Sequence, residues 1–240
     1  MGKMVYAYGI MFMLCFCSCQ KDLIEYGQGD FKVGIEQGDN WLHDYPLFLG
    51  FNKKNPPQIA IWIEDVNGNY VSTVYASYKR ATQSWQSAGR DRRKEALPYW
   101  CHCRGVKYVD GLYLPTKKQH LTDGITGATP TESFDVKLHP TKEITHFKVM
   151  VEVNHSTDFN EYYPKSAKEG DYNYSGGKNG SGQPALVYCA DINTVANNTS
   201  FIAQLVGHSS ADGSDGKLYN DLSGITSALN IVKRIIITLQ

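Results

Sequence analysis

The chain has 240 residues, with 24 Lys and Arg set against 24 Asp and Glu, so its formal net charge is zero. Without a basic surplus to release counterions, it is not a general polyanion binder, and nucleic acid is excluded as its main partner. A hydrophobic share of 42 % and a charged share of 20 % exclude a disordered chain, and no apolar run reaches the roughly 20 residues that span a bilayer.

The N-terminus reads as an export signal. Lys3 supplies a positive start, and Met4 to Phe16 is an apolar stretch holding Ile10, Met11, Phe12, Met13 and Leu14. The stretch ends Phe16-Cys17-Ser18-Cys19, and a small residue just before a cysteine resembles the lipobox of bacterial lipoproteins. That resemblance implies a signal peptide over 1–18, a lipidated Cys19, and a tether over 19–29 ahead of one domain over 30–240. The protein is then exported and lipid-anchored in the cell envelope, facing the periplasm or on the outer-membrane surface. Multiple acyl chains hold such an anchor stably where one alone is marginal. The competing reading is an ordinary cleaved signal without lipid.

Cysteine usage agrees with export. Beyond the signal and Cys19, Cys101, Cys103 and Cys189 remain, an odd number that allows at most one internal disulfide, from Cys189 to either of the others. Cys101-His102-Cys103 lacks the spacing of a zinc site and reads as packed or disulfide-bonded cysteine.

A first strand is expected at Phe31–Glu36. Gln58–Glu64 is rich in β-branched and aromatic residues, as is Tyr70–Tyr75. Asn67-Gly68 between them favours a turn with positive φ, so the two runs form a hairpin. Residues 79–104 gather Arg80, Arg90, Arg92, Arg93 and Lys94 around Trp85 and Trp100. This stretch reads as a solvated short helix or crossover, with a phosphate-bearing ligand near Arg90 or Arg93 as the alternative. A long polar loop covers 105–131. Strands resume at Ser133–Leu138 and Thr145–Val153, where Phe147, Val149, Val151 and Val153 alternate. A second long loop covers 154–183. Strands are expected at Pro184–Ile192, Ser200–His208 and Asn230–Leu239, with a turn region at 209–223.

About seven strands and little helix predict an all-β fold, a single antiparallel β-sandwich with long loops. No internal repeat or domain boundary interrupts 30–240. Loops of this length are uncommon unless functional, so function is expected in 105–131, 154–183 or 209–224.

Several segments resemble one family across nearly the whole mature chain. They are Ile61-Trp62-Ile63-Glu64-Asp65 with Asn67-Gly68 and Tyr70-Val71, Ala96-Leu97-Pro98-Tyr99-Trp100, Asp123 to Pro130, Asn154 to Tyr163, Gly182 to Tyr188, Gly207-His208-Ser209, and Ile225 to Val232. Together they are similar to the exported bacterial family called domain of unknown function 2271. The resemblance implies export and an Ig-like domain, and it hands over no activity. The family's association with extracytoplasmic redox systems is a link by context only.

Within it, Asp123-Gly124-Ile125-Thr126-Gly127-Ala128-Thr129 is similar to the acceptor sequence of proteins flavinylated by an exported FMN transferase. Every fixed position of that pattern is matched. The match implies covalent FMN on the Thr129 hydroxyl through a phosphoester, an FMN transferase as partner, and electron transfer with other envelope redox proteins. Gly127 and Ala128 carry almost no side-chain bulk, and Pro130 biases Thr129 toward an extended backbone that turns its side chain outward. Tyr99, Trp100, Tyr162 and Tyr163 are candidates for stacking on the flavin. The competing reading is a structural turn, because Gly, Thr and Asp make good turns.

A second constellation is His155, Asp158, Asn160 and Glu161, which His208 joins if strand ends bring it near. This set suits a divalent metal or a proton-sharing pair, and a metal-dependent enzyme would use His155 and Glu161. The competing reading is a polar network fixing the loop. Asp212, Asp215 and Asp221 lack EF-hand spacing and read as a solvated turn. No GxSxG elbow, P-loop or dinucleotide fingerprint appears. Two functions therefore stand side by side: a flavinylated envelope electron carrier, and a non-catalytic Ig-like lipoprotein that binds protein, glycan or metal through its loops.

Overall fold

Strict alternation builds the inner faces of the sheets. Phe31, Val33 and Ile35 are buried while Lys32, Gly34 and Glu36 between them are half-buried, the period-2 pattern of a strand with one face on a core. The computed structural model describes residues 23–24, 31–46, 49, 51–85, 92–138, 144–196 and 198–240. The expected signal peptide, Cys19 and Arg90 lie outside the described residues.

The strands are β1 (Leu23–Ile24), β2 (Phe31–Gln37), β3 (His43–Pro46), β4 (Asn52–Asn55), β5 (Gln58–Glu64), β6 (Tyr70–Ser77), β7 (Ile125–Gly127), β8 (Phe134–Leu138), β9 (His146–Asn154), β10 (Leu186–Asn193), β11 (Ser200–Ile202), β12 (Gln204–His208) and β13 (Val232–Leu239). A five-stranded sheet runs β1-β8-β2-β13-β11 and a six-stranded sheet runs β12-β10-β9-β5-β6-β7. A separate ribbon pairs β3 with β4. The two large sheets pack face to face around one core. Phe31 of the first meets Phe147 of the second edge to face at 5.2 Å, a geometry that adds to simple area burial. The fold is therefore the expected all-β sandwich.

The structure departs from expectation at the edges. One outermost pairing of each large sheet is parallel, β1 with β8 and β6 with β7, while the opposite outermost pairings, β11 with β13 and β12 with β10, are antiparallel. Leu23 and Ile24, inside the expected tether, pair with Asp135 and Val136. The run 200–208 is two strands rather than one. β11 pairs with β13 in one sheet, β12 pairs with β10 in the other, and the chain crosses between sheets at buried Ala203, whose N–H donates to Ile235 O at 3.0 Å.

Strand β5 is buried on both faces. Ile59, Ile61 and Ile63 face the sandwich core, whereas Ala60 and Trp62 face a second core on the far side of the six-stranded sheet. The lid over that second core is the short helix α2, preceded in the chain by α1 (Tyr78–Thr82); α2 spans Pro98–Cys103 and contributes Trp100 and Cys101, beside Leu97 and Leu114. Pro98 sits at the start of α2, where its missing N–H costs nothing. The first free amides of α2 are capped from outside: the fully buried Glu152 of β9 accepts from Tyr99 N at 3.2 Å and Trp100 N at 2.8 Å. Burial pushes the Glu152 carboxyl up to about 7, against the pull of those two amides and of Arg80.

Candidate functional site

The Asp123–Thr129 segment lies along the outer edge of the six-stranded sheet. Its middle, Ile125 to Gly127, is β7, and its register pairs Tyr75 with Ile125, Ala76 with Thr126 and Ser77 with Gly127. Thus the expected loop of 105–131 contains a short edge strand, with β6 as its one sheet neighbour.

Side chains of β6 and of Arg104, just past the end of α2, pin the segment. Asp123 Oδ1 accepts from Arg104 Nη2 at 3.0 Å, and its Oδ2 accepts from the Tyr70 hydroxyl. The Arg104 side chain is almost fully buried while that of Asp123 is 37 % exposed, so this pair sits at the rim of the second core. Arg104 also lies over the Trp100 ring at 5.3 Å. Burial first, then its bond to Asp123, pushes the Tyr70 phenol up to about 12. Gly124 packs against β6 so closely that an added Cβ would lie 2.6 Å from Thr73 Cγ2, which explains a glycine there. Tyr75 donates its hydroxyl to Gly127 O at 3.0 Å.

Thr129 corrects the expectation of an outward side chain. It is buried, and its hydroxyl lies 2.7 Å from Ser77 Oγ, which also accepts the Ile59 N–H at 2.8 Å. Pro130 does restrict the backbone, yet the partner hydroxyl on β6 decides which way the side chain faces. Ala128 is exposed and Thr126 half-buried. The aromatics beside this end are not the four expected. Trp41 donates from Nε1 to Pro130 O at 3.1 Å, and Phe134 packs near both Trp41 and Tyr75, with ring centroids 6.1 and 5.9 Å away. Trp100 is buried behind the Asp123 end, where it donates to Thr73 Oγ1 at 3.1 Å. Tyr99 lies against Trp62, and Tyr162 packs on Tyr163 and Tyr172. Tyr75 and Ser77 stand two apart on one strand face, a local signal that sequence reading passed over.

The second constellation disperses. His155 is buried and donates from Nε2 to Asn40 O at 2.8 Å, with the His43 ring 5.2 Å away. Burial lowers its pKa to about 4. Asp158 accepts from Ser227 Oγ at 2.6 Å, and burial pushes its carboxyl upward. Asn160 donates to Gly224 O and Thr226 Oγ1, both at 3.0 Å, and accepts from the Tyr162 and Tyr163 amides. Glu161 is exposed. His208 points both ring nitrogens at carbonyl oxygens, Ser209 O at 2.7 Å and Asp221 O at 3.0 Å, and stacks on Tyr219. Asp158 and Asn160 share one network through Gln183, Thr226 and Ser227, while His155 and His208 bond to backbone carbonyls elsewhere. Among the described residues, no group of three His, Cys, Asp or Glu side chains is placed to hold a metal ion.

The remaining candidates are likewise occupied. Arg93 is buried, donating to Glu95 at 2.9 Å, Ser156 at 2.6 Å and Ser181 at 3.4 Å, so its guanidinium is not offered to a phosphate. Cys101, Cys103 and Cys189 are free thiols. Cys101 accepts from Arg80 at 3.1 Å, while the His102 ring turns away to Tyr113 at 4.4 Å. Asp212, Asp215 and Asp221 each accept a backbone amide two residues ahead, the signature of Asx turns. No helix among the described residues is long and apolar enough to cross a membrane. Compared with family models, curated proteins and solved structures, the chain matches none of them.

Proposed function

We propose that this is an exported, lipid-anchored electron carrier that bears FMN covalently on Thr129. The observation that supports the reading is the full run Asp123 to Thr129, resembling the acceptor pattern, with its middle residues Ile125–Gly127 forming an edge strand. An edge strand is the part of a sheet that another protein reaches most readily, and Ala128, next to Thr129, is exposed. The Arg104 and Tyr70 bonds to Asp123 hold one end of the segment while the other is modified. A phosphoester on Thr129 does not fit the inward side chain, so Thr129 must exchange its bond to Ser77 for an outward orientation. Once bound, the flavin supplies one- or two-electron chemistry, and the chain supplies attachment and orientation. An exported FMN transferase and envelope redox proteins are the partners this reading requires.

Two observations favour a second reading. The buried Thr129–Ser77 hydroxyl pair and the close seat of Gly124 on Thr73 are what a purely structural edge needs. The protein would then be a non-catalytic Ig-like envelope module that binds a ligand through its long loops.

Intact mass separates the two. The protein is expressed in an exporting host with and without an FMN transferase. An adduct of one FMN less one water that is absent from Thr129→Ala supports the carrier. Unmodified protein with several active transferases discards it in favour of the binding module, and an adduct that survives Thr129→Ala removes Thr129 as the acceptor.

A further inference from the structure

A cleft of about 300 Å³ opens between the β3–β4 ribbon and the 154–183 loop, away from the Asp123–Thr129 edge. Its size lies at the small end of the range for small-molecule sites. Lys165 and Lys178 reach it from two separate parts of the loop, and both are exposed. Among the described residues neither lysine has an ion-pair partner. The carboxylate in the lining, Asp44, is already paired with Lys54 at 3.4 Å. Two lysines set against one already paired carboxylate leave the cleft lining net positive.

The rest of the lining narrows the choice of anion. Tyr45 and Phe159, both half-buried, line the same space, as does Asn179 with its side-chain amide. A bare inorganic anion can meet the lysines and the amide but leaves the aromatic side chains unused. A pyranose carrying a carboxylate uses all three: its apolar C–H face lies on an aromatic ring, its hydroxyls meet Asn179, and its carboxylate meets the lysines.

The floor of the cleft is preorganised. Thr157 has φ of 61°, in the left-handed region that a β-branched residue rarely adopts. It is held there by Thr157 N to Gly180 O and Asp158 N to Ser181 O, each 2.8 Å, while His43 Nε2 lies 3.3 Å from Thr157 O. Backbone strain fixed by surrounding bonds is characteristic of ligand clamps. We propose that this cleft binds one acidic saccharide residue, with Lys165 and Lys178 on its carboxylate and an aromatic ring, Tyr45 or Phe159, under its sugar face. The inference is independent of the flavin reading.

The test is calorimetric titration of the full chain with digalacturonate, the neutral galactose disaccharide and inorganic phosphate. Digalacturonate is expected to bind with Kd on the order of 0.1–1 mM. The Lys165→Gln/Lys178→Gln double variant changes two exposed side chains and should weaken binding about tenfold or more, as should added salt. Tyr45→Ala/Phe159→Ala should weaken it as well, with the fold checked by circular dichroism. The proposal is overturned if digalacturonate does not bind, if the lysine variant binds it unchanged, or if the neutral sugar or phosphate binds as tightly.

Discussion

The Thr129 hydroxyl lies 2.7 Å from that of Ser77, and both residues are buried at the end of the β6 edge. Ser77 Oγ also receives the Ile59 N–H at 2.8 Å, so one oxygen ties β5 to the Asp123–Thr129 segment. Ser77→Ala leaves that amide and the Thr129 hydroxyl without their partner, and should cost about 1–2 kcal/mol in urea unfolding. In the flavin reading the same change frees Thr129 and should speed its modification by an FMN transferase, followed by mass against time. Slower modification in Ser77→Ala would argue that the buried pair positions the acceptor instead of sheltering it.

The Arg104–Asp123 pair offers a second test. Arg104 is buried and Asp123 half-open, so solvent screens part of their attraction, and the charge-assisted bond keeps the remainder. A double-mutant cycle with Arg104→Met and Asp123→Asn should give a coupling of about 1 kcal/mol. Coupling indistinguishable from zero would show that the pair does not anchor the segment.

Stability should depend on pH with two opposed slopes. Glu152 has its folded pKa raised by burial from 4.5 to about 7. Its contribution is fully present below pH 4.5 and is lost as pH rises through about 7. His155 has its folded pKa lowered by burial from 6.5 to about 4, so its contribution is present above pH 6.5 and is lost as pH falls through about 4. Each amounts to about 3 kcal/mol as an order of magnitude. Melting temperature against pH should lose its decline between pH 4.5 and 7 in Glu152→Gln, and its decline toward acid in His155→Gln. Unchanged profiles in both variants would refute these assignments.

Thr157 should gain from replacement by glycine. A β-branched residue at φ 61° pays a backbone penalty that glycine avoids. Thr157→Gly should raise stability by about 1 kcal/mol, less the lost bond from Thr157 Oγ1 to Ser156 O. Thermal unfolding decides the sign, and a clear loss would mean that the side chain supports the loop more than its backbone strains it.

The sequence by itself determined the elements whose causes are local. Alternation from Phe31 to Glu36, the β-branched run of β5 and the Asn67-Gly68 turn specify strands and a hairpin wherever the chain folds, because neighbouring residues carry both the periodicity and the turn chemistry. The resemblance of Asp123–Thr129 to a flavin acceptor is equally local, since it rests on seven consecutive residues. What tertiary structure alone decided is which partner each element meets. Nothing within 200–208 says that the chain changes sheets at Ala203, since that follows from pairing with β13 and β10 far along the sequence. Nothing near Glu152 says that it caps a helix more than fifty residues earlier. Thr129 faces inward because a hydroxyl 52 positions away offers it a buried bond. His155 and His208 turn to the backbone carbonyls of Asn40 and Asp221, whereas Asp158 and Asn160 turn to groups on the 224–227 turn. A buried polar group goes where its hydrogen bond can be made, and the location of that partner is a property of the folded chain.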